Sequence, residues 1–210
     1  MKGFEKIPDC KVTLIGDSGV GKSSIIGRYI SGIFRGDTLT TSGANYSQKI
    51  YQKNNQKVRL NIWDTAGQEK FRSLGRNFYK DAYIICIIFD ITNKRSFDNI
   101  KEIWYPEIEK HGEKYKILAI VGNKCDLYED EEVEEKDVKD FSDKIGAKFF
   151  LISAKNGDAI EEMFKSLANL YLNPEFKDKV KESSSNRSSS IKLDREELKR
   201  DRRNSGSGCC

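Results

Sequence analysis

Three short stretches carry residue types whose spacing suits phosphate and base chemistry. The first is Gly16 to Ser23, "GDSGVGKS", a Gly-x-x-x-x-Gly-Lys-Ser pattern between an apolar run and a helical one. Glycines at this spacing let the backbone of Ser18, Gly19, Val20, Gly21, Lys22, Ser23 and Ser24 wrap phosphates with its N–H groups inward, and the following helix N-terminus adds favourable field. Lys22 is expected to reach the β- and γ-phosphates, and the Ser23 hydroxyl to bind Mg²⁺. The pattern means a nucleoside triphosphate without saying which; a chance glycine turn opening a helix is the bland alternative.

The second stretch, "WDTAGQE", spans Trp63 to Glu69. Asp64 at a strand end suits a carboxylate serving Mg²⁺, and Gly67 can approach a γ-phosphate with no side chain in the way. Gln68 both donates and accepts, as the positioning of an attacking water requires. Asp-Thr-Ala-Gly alone reads equally well as an ordinary turn. The third, "NKCD", covers Asn123, Lys124 and Asp126, and "SAK" covers Ser153, Ala154 and Lys155. The Asp126 carboxylate can accept the N1–H and 2-amino hydrogens of guanine together, whereas adenine offers neither donor. Pairing of this kind rejects the wrong ligand by roughly 10⁴-fold or more. The Ala154 N–H is expected to meet the guanine O6. By itself N-K-x-D is also a common solvated loop.

These stretches need a frame, and the chain supplies one. "KVTLIG", "NYSQKIYQ", "KVRLNIWD", "YIICIIFDI", "KILAIVGN" and "AKFFLIS" read as six strands, the second and third joined through Asn54-Asn55 as a hairpin. The continuous apolar runs suit strands covered on both faces. Helices are expected over "KSSIIGRYI", Ser96–His111, Val133–Ile145 and Asp158–Leu172. The last carries Ile160, Met163, Phe164, Leu167 and Tyr171 on one stripe, with Asp158 and Glu161 as a capping box. Pro106 should kink the helix it falls in. The pattern predicts a mostly parallel sheet between helices with the hairpin strand antiparallel, and each motif at the carboxyl end of a strand, where open α/β sheets bind ligands.

Of the formal charge of +4 on 210 residues, +3 lies beyond Pro174, where serine runs and low hydrophobicity predict a flexible tail over 174–210 after a folded unit over 8–173. So mild a charge gives no argument for nucleic acid. "AYIICIIF" is too short to span a bilayer, and the N-terminal residues read neither as a secretory signal nor as a myristoylation site. Five cysteines at irregular spacing and a lone His111 suit no zinc site; Cys86 reads as a buried apolar residue in a reducing compartment.

Taken in order, "GDSGVGKS", "WDTAGQE", "NKCD" and "SAK" resemble the small GTPases of the Ras superfamily, most of all the Rab branch, over about Asp9 to Asn173. The resemblance implies a P-loop G domain with a six-stranded sheet, a GTP/GDP switch that recruits effectors in vesicle trafficking, and Gln68 as catalytic residue. It implies that Thr41 completes Mg²⁺ coordination and senses the γ-phosphate, that Phe34 stacks on guanine, and that Tyr46, Trp63 and Phe78 face effectors, packing between strand and helix being the alternative for these rings. Ser18 stands where the Ras branch has glycine; small residues occur there in Rab proteins, so activity is expected to survive. Ser42 and Asn45 depart from the usual Rab switch I on the effector side. Arg72 and Arg76 lie past the second switch turn and offer no internal arginine finger, so slow intrinsic hydrolysis is implied, raised by an activating partner. The further partners implied are an exchange factor, a GDP-dissociation inhibitor and a prenylation escort. Cys209 and Cys210 match the Rab Cys-Cys lipidation pattern, placing the protein on the cytoplasmic face of intracellular membranes in exchange with cytosol. An ATP-using P-loop enzyme and a nucleotide-locked scaffold are the rivals; "NKCD" with "SAK" opposes the first and Gln68 the second.

Overall fold

The computed structural model describes residues 7–34, 36, 45–65, 80–114 and 116–181. Six strands form one sheet: β1 (Asp9–Ile15), β2 (Asn45–Lys53), β3 (Gln56–Asp64), β4 (Ile84–Asp90), β5 (Ile117–Asn123) and β6 (Lys148–Leu151), in the order β2-β3-β1-β4-β5-β6. Only β2 runs antiparallel, paired to β3 across the Asn54-Asn55 turn, where Asn54 has a positive φ. The remaining neighbours are parallel, in registers such as Leu14 with Asp64 and Asp90 with Asn123. Every residue of β4 and β5 is buried, as continuous apolar runs covered on both faces require. At the edge, β2 has no buried residue.

Helix α1 (Lys22–Ser31) follows β1. Helix α2 (Lys94–Asn99), a π turn (Ile100–Trp104) and α3 (Tyr105–His111) follow β4. A 3-10 segment (Cys125–Asp130) and α4 (Glu135–Ile145) follow β5, and α5 (Ile160–Leu172) follows β6. Ile160, Met163, Phe164 and Leu167 of α5 are buried as expected, each contributing about 1.5–3 kcal/mol relative to exposure. Tyr171, half-buried, donates its hydroxyl to the Asp9 carbonyl at 3.0 Å. Cys86 is fully buried.

Two local expectations are corrected. The single helix over Ser96–His111 is divided by the π turn, and Pro106 follows directly after it; a proline inside a helix cannot donate to the carbonyl four residues back and crowds it, and here that residue, Glu102, lies inside the π turn. Asp158 and Glu161 form no capping box. Ala159, just before α5, has a φ of 54°, outside the extended backbone an N-cap needs, and Glu161 turns instead to Lys49 and Lys165. Residues 174–181, the described part of the stretch after Asn173, are helical, and the Asn173 side chain accepts from the Glu175 N–H at their start. Residues up to Leu172 form one compact unit and those from Asn173 another. No described helix is long and apolar enough to cross a membrane.

Candidate functional site

The loop after β1 passes so close to β4 that only glycine fits at its start. Gly16 has a φ of 138°, and a Cβ there would overlap the Ile88 carbonyl. Gly21, at a φ of 96°, caps α1 and lies against the side-chain amide of Asn123, so a Cβ would again collide. The loop is therefore shaped by its neighbours on β4 and β5. Lys22, 5% exposed, folds its ammonium back over the loop to the carbonyls of Gly16 (2.8 Å) and Asp17 (2.7 Å). Ser18 and Gly19 are exposed, Val20 is buried, and Ser23 and Ser24 are half-buried in the first turn of α1.

At the end of β3, Asp64 is buried, and one of its carboxylate oxygens, Oδ1, has no hydrogen-bond partner among the described residues. Burial pushes its carboxyl pKa up, while a side-chain hydrogen bond from Ser23 and the charge of Lys22 pull it back. A buried carboxylate with one vacant oxygen beside a serine hydroxyl is a donor set that suits a hard cation with oxygen ligands. Next to it, the buried Thr65 donates its hydroxyl to the Leu14 carbonyl at 2.8 Å, tying the end of β3 to β1.

The ends of β5 and β6 are joined to the loop by Asn123, 1% exposed. Its Nδ2 donates to the Val20 carbonyl at 2.8 Å, and its Oδ1 accepts from the Ala154 N–H at 3.1 Å. The Ala154 amide, expected to face guanine O6, is thus engaged by Asn123. Lys124 takes a left-handed φ of 68° and pairs its ammonium with Asp90, whose other oxygen accepts from the Thr92 N–H and hydroxyl. Asp126 accepts from the Ser153 hydroxyl at 2.6 Å through Oδ1, and its Oδ2 lies 3.6 Å from the Lys155 ammonium. Ser153 is fully buried, and its oxygen also accepts from the Asn156 N–H.

Two sets of contacts escaped the sequence reading. Arg28 of α1 donates from Nε to the Ala154 carbonyl (3.0 Å), from Nη2 to the Lys155 carbonyl, and from Nη1 to the Gly32 carbonyl that ends its own helix (2.8 Å). It clamps the "SAK" loop to the helix that precedes Phe34. Asp17 inside the loop accepts from Asn99 and Trp104. Their signal in the sequence is faint: one arginine in a short helix, and an aspartate among glycines.

Of the expected effector residues, Tyr46 is 47% exposed and meets Trp63 edge-on, with ring centroids 5.2 Å apart; the Lys11 ammonium lies 5.5 Å from the Trp63 ring. The Tyr46 hydroxyl donates to Asn61 at 2.8 Å. Phe34, past the end of α1, is 36% exposed, and Asn45 is exposed at the start of β2. Thr41, Ser42, Gly67, Gln68, Phe78, Cys209 and Cys210 lie outside the described residues.

Comparison with known proteins agrees with this geometry. The family model described as "Ras family" matches residues 11–173. Ras-related protein Rab-22A of Homo sapiens is 43% identical over 156 residues, covering 74% of this chain and 80% of its own. Ras-related protein Rab-31 of Rattus norvegicus is 41% identical over 162 residues, with 77% and 83% covered. Ras-related protein Rab-26 of Bos taurus is 38% identical over 159 residues, with 75% and 62% covered.

Proposed function

The chain belongs to the Ras family of small GTPases, in its Rab branch, and from that premise we propose how its own residues run the switch. It binds GTP and GDP, hydrolyses GTP, and works with regulators and effectors in vesicle trafficking at intracellular membranes. The reading as a turning-over switch is favoured over a locked scaffold.

In this reading the backbone from Ser18 to Ser24 cradles the phosphates, and Lys22 swings from the Gly16 and Asp17 carbonyls onto the β- and γ-phosphates. Ser23 and Thr41 would hold Mg²⁺, with Asp64 beside them; the buried Oδ1 of Asp64, which has no partner among the described residues, supports this assignment. When bound, the ion neutralises charge on the phosphate oxygens. Gln68 orients the attacking water, and Thr41 and Gly67 contact the γ-phosphate so that its loss releases both switch segments. Asp126 reads the guanine N1–H and 2-amino group, held in place by Ser153, while Lys124 and Phe34 flank the base and Ala154 and Lys155 close it. The folded unit over 8–173 is the G domain and 174–210 its tether. Cys209 and Cys210 carry geranylgeranyl chains, two of which give the stable anchoring that one does not. Tyr46, Trp63 and Phe78 meet effectors. An exchange factor, a GTPase-activating protein, a GDP-dissociation inhibitor and a prenylation escort act on the protein as it cycles between cytosol and the cytoplasmic face of membranes.

The single observation that carries the reading is Asn123, which binds the phosphate loop through Val20 and the base loop through Ala154 in one buried side chain. One ligand spanning phosphate and base is what such a brace serves. The test is Asp126→Asn, which reverses a hydrogen-bonding edge and is expected to exchange guanine for xanthine preference. Unchanged GTP affinity in that variant refutes the guanine assignment.

A further inference from the structure

A carboxylate inside a phosphate cradle is a liability. It repels the ligand and competes for the lysine meant to bind it. Asp17 is the second residue of the loop, and its own carbonyl already accepts from Lys22. Its carboxylate, however, is fully engaged elsewhere: Oδ2 accepts from the Asn99 amide at 2.6 Å, and Oδ1 from the Trp104 indole N–H at 2.8 Å. Both donors are neutral, so the side chain is held without drawing a cation from the loop.

Asn99 and Trp104 are five residues apart, about 140° around an α-helix of 3.6 residues per turn, too far for both to face one carboxylate. The π turn removes that obstacle. It spans Ile100–Trp104 and closes with the Tyr105 N–H on the Ile100 carbonyl, five residues back. Adding one residue to the turn brings its two ends toward one face. The arrangement has a cost: with Nδ2 turned to the carboxylate, the buried Oδ1 of Asn99 has no partner among the described residues.

We propose that the π turn is a positioning device that sets Asn99 and Trp104 on the Asp17 carboxylate, fixing the phosphate loop in its nucleotide-binding shape. Asp17, Asn99 and Trp104 are then positioning residues, acting on the nucleotide through the loop. The proposal rests on the reading of Gly16 to Ser23 as the nucleotide cradle.

The test measures release of fluorescent GDP from the full chain in a double-mutant cycle. Trp104→Phe keeps the ring and removes only the N–H; release is expected to quicken about tenfold, as loss of a bond to a charged acceptor predicts. In an Asp17→Ser background the same change is expected to move the rate by less than about twofold, because the partner is gone. Equal factors in both backgrounds, or no change in the first, overturn the proposal, since a purely structural tryptophan behaves that way. Asn99→Ser, taken through the same cycle, replaces Trp104→Phe should the latter fail to fold. The indole ¹⁵N–H resonance of Trp104 is expected to shift in Asp17→Ser; an unmoved resonance refutes the contact directly. Lys22→Ala separates the two levels. If it binds GDP as the parent does, the cradle reading fails; if it is impaired while the cycle shows no coupling, only the positioning proposal fails.

Discussion

Replacing Asn123 with alanine probes the joint between the two halves of the site. The side chain is 1% exposed and makes two hydrogen bonds, to the Val20 carbonyl at 2.8 Å and from the Ala154 N–H at 3.1 Å. Alanine leaves both backbone groups without their partner in a buried setting, at about 1–3 kcal/mol each. Taking the middle of that range, and allowing the loops to relax or admit water, about 3 kcal/mol remains, near a hundredfold in an equilibrium constant. The loss should be expressed in nucleotide binding, because the brace holds the phosphate loop against the base loop. The assay is the release rate of fluorescent GDP, read beside deuterium exchange at the Ala154 amide. Release is expected to rise about a hundredfold, with exchange at Ala154 accelerating alongside it. An Ala154 amide exchanging at the parent rate, or release within about twofold of the parent, refutes the reasoning that the brace couples the loops.

Other outcomes follow from single residues. Gly16→Ala places a Cβ against the Ile88 carbonyl at a φ of 138°, so denaturant melts should show a loss of at least about 1–3 kcal/mol. Ser23→Ala removes the hydroxyl beside Asp64, and chelation by EDTA, which is expected to speed GDP release from the parent, should then have little further effect. Gln68→Leu should leave GTP affinity near the parent value while single-turnover hydrolysis falls, and an unaltered rate refutes its role. Burial pushes the Cys86 thiol from 9.0 up to about 12. The unfolded chain therefore ionises this thiol first as pH rises. Its contribution to stability is intact below pH 9.0 and falls by about 1.4 kcal/mol per pH unit between pH 9.0 and about 12, which denaturation at pH 8 and pH 10 against Cys86→Ala will read.

Much of the fold was legible because hydrophobic periodicity is local. The apolar runs of β4 and β5 announced strands buried on both faces, and Ile160, Met163, Phe164 and Leu167 announced the docked face of α5. The motif residues fell at strand ends, where the topology gathers Lys22, Asp64, Asn123, Asp126 and Ser153. What escaped depends on partners remote in sequence. No local pattern marks Arg28; its three carbonyl partners include two on a loop more than a hundred positions away. The capping box at Asp158 and Glu161 failed because the backbone of Ala159 turns left-handed and Lys49 of a distant strand draws Glu161 away. Pro106 marked an irregular helix, and the irregularity is the π turn just before it, beside Asp17, whose contacts no local pattern announces.

The central claim is that this chain binds guanine nucleotide and turns it over. Full-length protein loaded with γ-labelled GTP and Mg²⁺, with ATP in parallel, tests it in one single-turnover experiment. The account predicts slow release of one phosphate per protein from GTP and none from ATP. Phosphate released equally from both nucleotides, or none from bound GTP, would contradict it.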